Sequence, residues 1–150
     1  MYMKHWSKIM DYLYVGDIYS TIDEDLYYDE FVEVVISLLW DYEDIEKVKG
    51  LGSEYCVKHY LIPLDDNDKV LLDIIFKQVL DIVQKAKKDN KKILIHCSAG
   101  QCRSVVMAMY CVAVEYGLTP HEAMEFVNRM RPESNVSEHF KNQLWKIDFN

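Results

Sequence analysis

Arginine is scarce in this chain. Fourteen of the seventeen basic residues are lysine, leaving Arg103, Arg129 and Arg131, and the formal charge is −8. That balance argues against a surface built to grip nucleic acid or an anionic membrane, so neither is expected as a partner. Glycine and proline are also sparse, at five and three residues, and half of the chain is hydrophobic, which excludes collagen-like and low-complexity classes. The four cysteines, Cys56, Cys97, Cys102 and Cys111, follow no secretory disulfide framework. No apolar run approaches the ~20 residues of a membrane span, and "MYMKHWSKIM" lacks a signal peptide's apolar stretch. Tyr2 stands where a myristoylation signal requires glycine. These absences predict a soluble protein of the reducing cytoplasm or nucleus. At 150 residues, one compact domain spanning 1–150 is expected.

What is present alternates between strand and helix patterns. "YLYVGD" reads as a first strand ending at Gly16, after a short lead. "STIDEDLYYDEFV" reads as a cap, at Ser20 or Thr21, followed by a short helix. "VEVVISLLW" (32–40) is apolar and β-branched almost throughout, which predicts a strand buried on both faces, and "DYEDIEK" a solvated loop or short helix. "EYCVKHYLIPL" (54–64) predicts another strand, ending at Pro63, with "DDNDK" a polar turn after it. From Val70 to Lys88 a helical apolar stripe ends in lysines suited to a helix C-terminus. "KILIHC" (92–97) predicts a strand, "SVVMAMYCVAVEYG" (104–117) a buried helix with Gly117 as its C-cap, and "TPHE" a capping box opening the next helix. A last helix is expected over about 137–147. Strands alternating with helices predict an α/β fold with a central, mostly parallel sheet of about four or five strands, flanked by helices.

In such sheets ligands bind where strands turn into helices. "HCSAGQCRS" (96–104) lies at that kind of junction. The short run Ser98, Ala99, Gly100, Gln101 and Cys102 can wrap its N–H groups inward as an anion nest, and Arg103 offers a planar fork for two phosphate oxygens. Cys97, at the base, is expected to be acidified to roughly 3.5–7.5 and to attack phosphorus, with Ser104 donating to the sulfur when it leaves. The leaving oxygen needs a proton, and "IPLDDNDK" offers Asp65, Asp66 and Asp68 for that task. Turns are rich in Asp for local reasons, so this pattern alone does not choose among the three.

The nine residues have the H-C-x5-R-S form of cysteine-dependent protein phosphatases, and the surroundings resemble the dual-specificity branch over nearly the whole chain. "YLYVGD" resembles that family's opening strand, "LIPLDD" its general-acid loop and "RPESNVSEHFKNQL" its closing segment. The resemblance implies Cys97 as nucleophile, Arg103 as phosphate ligand, Ser104 as thiolate donor and His96 as support for the cysteine. It also implies Asp66, three places after the loop proline, as acid and then base. The family commonly has Pro-Asn where this chain has Val136-Ser137, so Ser137 or nearby Asn135 is left to brace the phosphate loop. A metal-independent phosphatase without a cofactor is implied, acting on phosphotyrosine and on phosphoserine or phosphothreonine in proteins. The expected state is a monomer whose partners are those substrates. "SAGQC" lacks the lysine of phosphoinositide phosphatases and the pattern of RNA triphosphatases. A phosphatase of a lipid, RNA end or sugar phosphate, and a phosphoprotein-binding module without turnover, stay open as alternatives.

Cys102 has no counterpart in that resemblance. Low-molecular-weight tyrosine phosphatases, a different fold, carry C-x4-C-R-S loops whose second cysteine forms a reversible disulfide with the nucleophile. By that likeness Cys97 and Cys102 become a redox pair, with a plain filler role for Cys102 as the other reading. Zinc binding would need two further ligands at compact spacing, which the sequence does not supply, so no metal is expected. Cys56 and Cys111, in apolar surroundings, are expected to be buried structural thiols. His5, His59, His121 and His139 have no partner in sequence and are expected to be structural or exposed.

Overall fold

The computed structural model describes residues 5–147. Five strands, β1 (Trp6–Met10), β2 (Leu13–Gly16), β3 (Val32–Leu39), β4 (Lys58–Pro63) and β5 (Lys92–His96), form one sheet in the order β1-β2-β5-β3-β4. Only the β1–β2 pair is antiparallel; β2, β5, β3 and β4 run parallel. The carboxyl ends of these four strands, Gly16, His96, Leu39 and Pro63, therefore share one edge of the sheet. The expected α/β architecture is the observed one.

Strand periodicity sends alternate residues of β3 to opposite faces. Val34, Ile36 and Leu38 join the larger core with Val15, Ile93 and Ile95, covered by α4 (Asp73–Lys88), α5 (Arg103–Tyr116), α6 (Pro120–Met130) and α7 (Glu138–Trp145). Val35 and Leu39 join a smaller core with Tyr14 and Leu94 on the other face. There α1 (Glu24–Tyr28), α2 (Tyr42–Lys47) and α3 (Leu51–Tyr55) lie, with a 3-10 turn over Ile18–Ile22. The helix α5 is buried over Arg103–Ala113, as a central helix with apolar residues on nearly every side must be. Gly117 ends it in the left-handed conformation, and Thr119 and Glu122 close the capping box of α6.

Four details differ from the sequence reading. The lead before the first expected strand is itself β1, an edge strand whose "WSKIM" carries too little alternation to read as one. Ser20 and Thr21 lie inside the 3-10 turn, which Asp17 caps, and Asp23 caps α1 instead. "LGSEY" forms the short helix α3, so the strand expected from Glu54 starts at Lys58. Cys56 sits between them at φ 56° and is exposed, not buried, whereas Cys111 is fully buried.

Two left-handed glycines separate a tight contact from an open turn. At Gly100 (φ +66°) an added Cβ would lie 2.6 Å from the Asp17 N and 2.7 Å from both the Gly16 C and the Arg131 Nη2. At Gly117 (φ +63°) nothing lies within 4 Å. Gly117→Ala is expected to cost about 1 kcal/mol, from conformation alone. Gly100→Ala should cost at least twice that, because backbone must move as well. Urea unfolding of the two variants checks the order; equal losses would contradict the packing described here.

Candidate active site

The segment joining β5 to α5 wraps a hollow of about 280 Å³ whose lining includes Cys97, Ser98, Ala99, Gln101, Cys102, Arg103 and Asp66. The loop's carbonyls turn outward to protein donors. The Ser98 carbonyl accepts from Ile18 N–H at 3.0 Å, that of Gly100 from Arg131 Nε at 2.7 Å, and that of Gln101 from Asn135 N–H at 2.7 Å. Among the described residues, no protein acceptor engages the backbone N–H groups of 98–102. With these three carbonyls held outward, the N–H groups are left for an anion in the hollow. The first turn of α5 adds the unpaired N–H groups of a helix N-terminus.

Cys97 lies at the base of the hollow, 2% exposed, with its Sγ 3.2 Å from the Ser104 Oγ. Its N–H donates to the Gly16 carbonyl at 3.3 Å, which ties the loop to the end of β2. Arg103 opens α5 and donates from Nη1 to the Leu64 carbonyl at 2.9 Å, so it also holds the segment after β4. Of the three aspartates in that segment, Asp66 lines the hollow. Asp65 is a turn former: its Oδ1 accepts from the Asp66 N–H at 2.8 Å and its Oδ2 from the Asn67 side chain at 2.6 Å. Asp68 is exposed and does not line the hollow.

Ser137 and Asn135 both touch the loop between β5 and α5 through backbone N–H, and the Ser137 Oγ also lies 3.8 Å from the Cys102 Sγ. Asn135 reaches Gln101, and the Ser137 N–H donates to the Cys102 Sγ at 3.4 Å. The Ser137 side chain caps α7, accepting from Phe140 N–H.

Sequence reasoning left Ser37, His59, Asp44 and Arg131 without a place here. Ser37, His59 and His96 lie on neighbouring strands β3, β4 and β5, on the face of the smaller core. The His96 Nδ1 is 3.1 Å from the Cys97 carbonyl, its Nε2 is 2.5 Å from Ser37 Oγ, and Ser37 Oγ is 2.7 Å from His59 Nε2. A carbonyl can only accept, so His96 carries its proton on Nδ1 and its Nε2 accepts from Ser37. Ser37 then accepts from His59 Nε2–H, and one directional chain runs across three strands to the Cys97 backbone. Complete burial pushes the His96 pKa down to about 4, which keeps the ring neutral and the chain in this direction. His59, half-buried, is lowered by desolvation as well. In the sequence these hydrogen bonds show only as a serine within a mostly apolar strand. Asp44, on α2, accepts a hydrogen bond from the Ser98 hydroxyl. Arg131 is fully buried and also donates to Ser7 Oγ at 3.0 Å. Among the described residues no group of three His, Cys, Asp or Glu side chains is placed to hold a metal ion.

A family model for the dual specificity phosphatase catalytic domain matches residues 35–148. The chain belongs to that family. It is similar to the dual specificity protein phosphatase Mpk3 of Drosophila melanogaster, 25% identical over 136 residues, covering 91% of this chain and 32% of that protein. It is similar likewise to human dual specificity protein phosphatase 7, 24% identical over 142 residues, covering 95% of this chain and 32% of that protein. The chain thus spans about a third of the length of these curated relatives. Among solved structures, human DUSP28 superposes with a TM-score of 0.83 at 17% identity, covering 95% of this chain and 93% of that one. PTPMT1 in complex with PI(5)P gives 0.80 at 20% identity, covering 95% and 94%. These two likenesses bear on the fold. No helix among the described residues is long and apolar enough to cross a membrane.

The depressed His96 pKa fixes a sign for stability against pH. The unfolded chain takes up the proton near 6.5 and the folded chain only near 4, so stability is full above 6.5 and falls as pH drops toward 4. His59 contributes in the same direction. The slope should be on the order of 1 kcal/mol per pH unit in that window, and shallower in His96→Gln. Denaturant unfolding at pH 7, 6 and 5 checks it; equal slopes in both proteins would contradict the buried neutral ring.

Proposed function

We propose that this chain is a phosphoprotein phosphatase, hydrolysing phosphotyrosine as well as phosphoserine and phosphothreonine. The observation that carries the reading is the placement of Cys97 Sγ at the base of a hollow ringed by free N–H groups, with Arg103 and Asp66 lining the same hollow. The phosphate dianion is held by those N–H groups and the Arg103 fork. Cys97, as thiolate, attacks phosphorus; the P–S bond forms as the P–O ester bond breaks, and Asp66 gives its proton to the departing oxygen. Asp66, now a carboxylate, takes a proton from water, whose oxygen attacks phosphorus and releases inorganic phosphate. The sulfur leaves with the bonding pair and is received by the Ser104 hydroxyl, 3.2 Å away.

Two features favour a singly phosphorylated protein side chain over a polyphosphorylated lipid or an RNA end. Among the described residues Arg103 is the only cation lining the hollow, so a second phosphate would find no charged partner among them. Asp44 sets a carboxylate against Ser98 at the loop's first position, which repels further negative charge. Four free thiols are consistent with a reducing cytoplasmic or nuclear setting. Substrate trapping tests the reading. Cys97→Ser should lose at least about 10³-fold in turnover, and Asp66→Ala about 10²-fold or more on poor leaving groups. Both variants should retain phosphoprotein from a lysate and release it to vanadate. Full hydrolysis by Cys97→Ser, or turnover of phosphoinositides or sugar phosphates with none of phosphopeptides, would contradict it.

We also propose redox control by Cys97 and Cys102, which line the one hollow. Peroxide would oxidise the Cys97 thiolate to a sulfenic acid with release of hydroxide, and the Cys102 thiol would condense with it to a disulfide and water. Peptide mapping after mild peroxide should find the Cys97–Cys102 linkage and activity restored by a thiol reductant. A sulfinic Cys97 beside a free Cys102 would contradict it.

A further inference from the structure

The Cys102 sulfur stands where three segments meet. It belongs to the phosphate loop, it accepts the Ser137 N–H at 3.4 Å from the segment before α7, and it lies 3.5 Å from the Asp66 Oδ1 in the loop after β4. A thiol has one proton to give, and two acceptors are in reach: Asp66 Oδ1 at 3.5 Å and Ser137 Oγ at 3.8 Å. Ser137 Oγ is neutral, farther away and already accepting the Phe140 N–H as a helix cap. The carboxyl Oδ1 is nearer and accepts in either protonation state of Asp66, more strongly once the group is a carboxylate.

We infer that Cys102 is a positioning residue for the acid: its S–H, donated to Asp66 Oδ1, holds the carboxyl over the nucleophile. This rests on the reading of Asp66 as the acid. Burial pushes the Cys102 thiol up to about 11, so the donor is present throughout the neutral range. No other side-chain donor reaches the Asp66 carboxyl among the described residues, and its own N–H is engaged by Asp65. The next residue, Arg103, grips the Leu64 carbonyl, so adjacent residues of the phosphate loop hold the acid segment at its start and at its working end. The bond also sorts the two carboxyl oxygens. With Oδ1 accepting from sulfur, the transferable proton of the acid form sits on Oδ2, and in the second step the same Oδ2 takes the proton from water.

The test is the dependence of rate on leaving group, which a merely structural role would not move. Wild type, Cys102→Ala, Cys102→Ser, Asp66→Ala and Asp66→Ala/Cys102→Ala are assayed on 4-nitrophenyl phosphate and phenyl phosphate. Cys102→Ala should lose about three- to tenfold in kcat on phenyl phosphate and less than about twofold on the activated ester, the size expected for one weak hydrogen bond. Cys102→Ser, which keeps a donor, should recover most of the loss, and in the Asp66→Ala background removing Cys102 should add no leaving-group dependence. Equal losses on both esters, or a Cys102 effect that persists without Asp66, would overturn the latch alone. An Asp66→Ala variant with no leaving-group dependence would overturn the acid assignment, and the latch with it.

Discussion

The loop between β5 and α5 depends on one close backbone approach. At Gly100 the chain passes against Gly16 and Asp17, at the end of β2, with the buried Arg131 guanidinium beside it and no room for a Cβ. That contact lets the loop curl in the left-handed conformation and turns the Gly100 carbonyl toward Arg131 Nε. The neighbouring Ser98 and Gln101 carbonyls are drawn outward by Ile18 and Asn135, so the same turn that packs the loop onto the sheet empties its interior of acceptors. An anion site results from where the carbonyls go, before any side chain is considered.

Side chains then fix what kind of anion chemistry the site supports. The directional chain from His59 through Ser37 to His96 holds the Cys97 backbone from behind, on the face of the smaller core. From the other side, α5 supplies Arg103 and Ser104 in its first turn, and the helix is anchored by burial of nearly its whole length. Arg103 and Cys102 bind the segment that carries Asp66, so Cys97, Arg103 and Asp66 are braced against one another rather than each against separate scaffolding.

Much of this was legible in the amino-acid sequence. The β-branched run of β3, the buried character of α5, the capping box of α6 and the His-Cys to Arg-Ser spacing are local patterns, and local patterns survive without coordinates. The edge strand β1 was not legible, because "WSKIM" pairs on one side only and mixes Lys8 and Ser7 with its apolar residues. Cys56 was misread as buried because it stands among apolar residues just before the strand that starts at Lys58, while the cysteine itself ends α3 in a left-handed turn. Ser37, His59, Asp44 and Arg131 were silent for a different reason: each acts through a partner 22 or more positions away, and a single sequence carries no record of such pairing. Among Asp65, Asp66 and Asp68, composition could not choose; the structure separates the turn former from the one that faces the hollow.

The proposed reaction passes through a phosphoryl group bound covalently to Cys97 in this hollow. Rapid acid quenching of the protein with ³²P-labelled phosphopeptide, followed by peptide mapping, detects that group. Label is expected on the peptide containing Cys97, accumulating when water's attack is slowed and absent in Cys97→Ser. Phosphate release at the wild-type rate from Cys97→Ser, or label on any other residue, would contradict it.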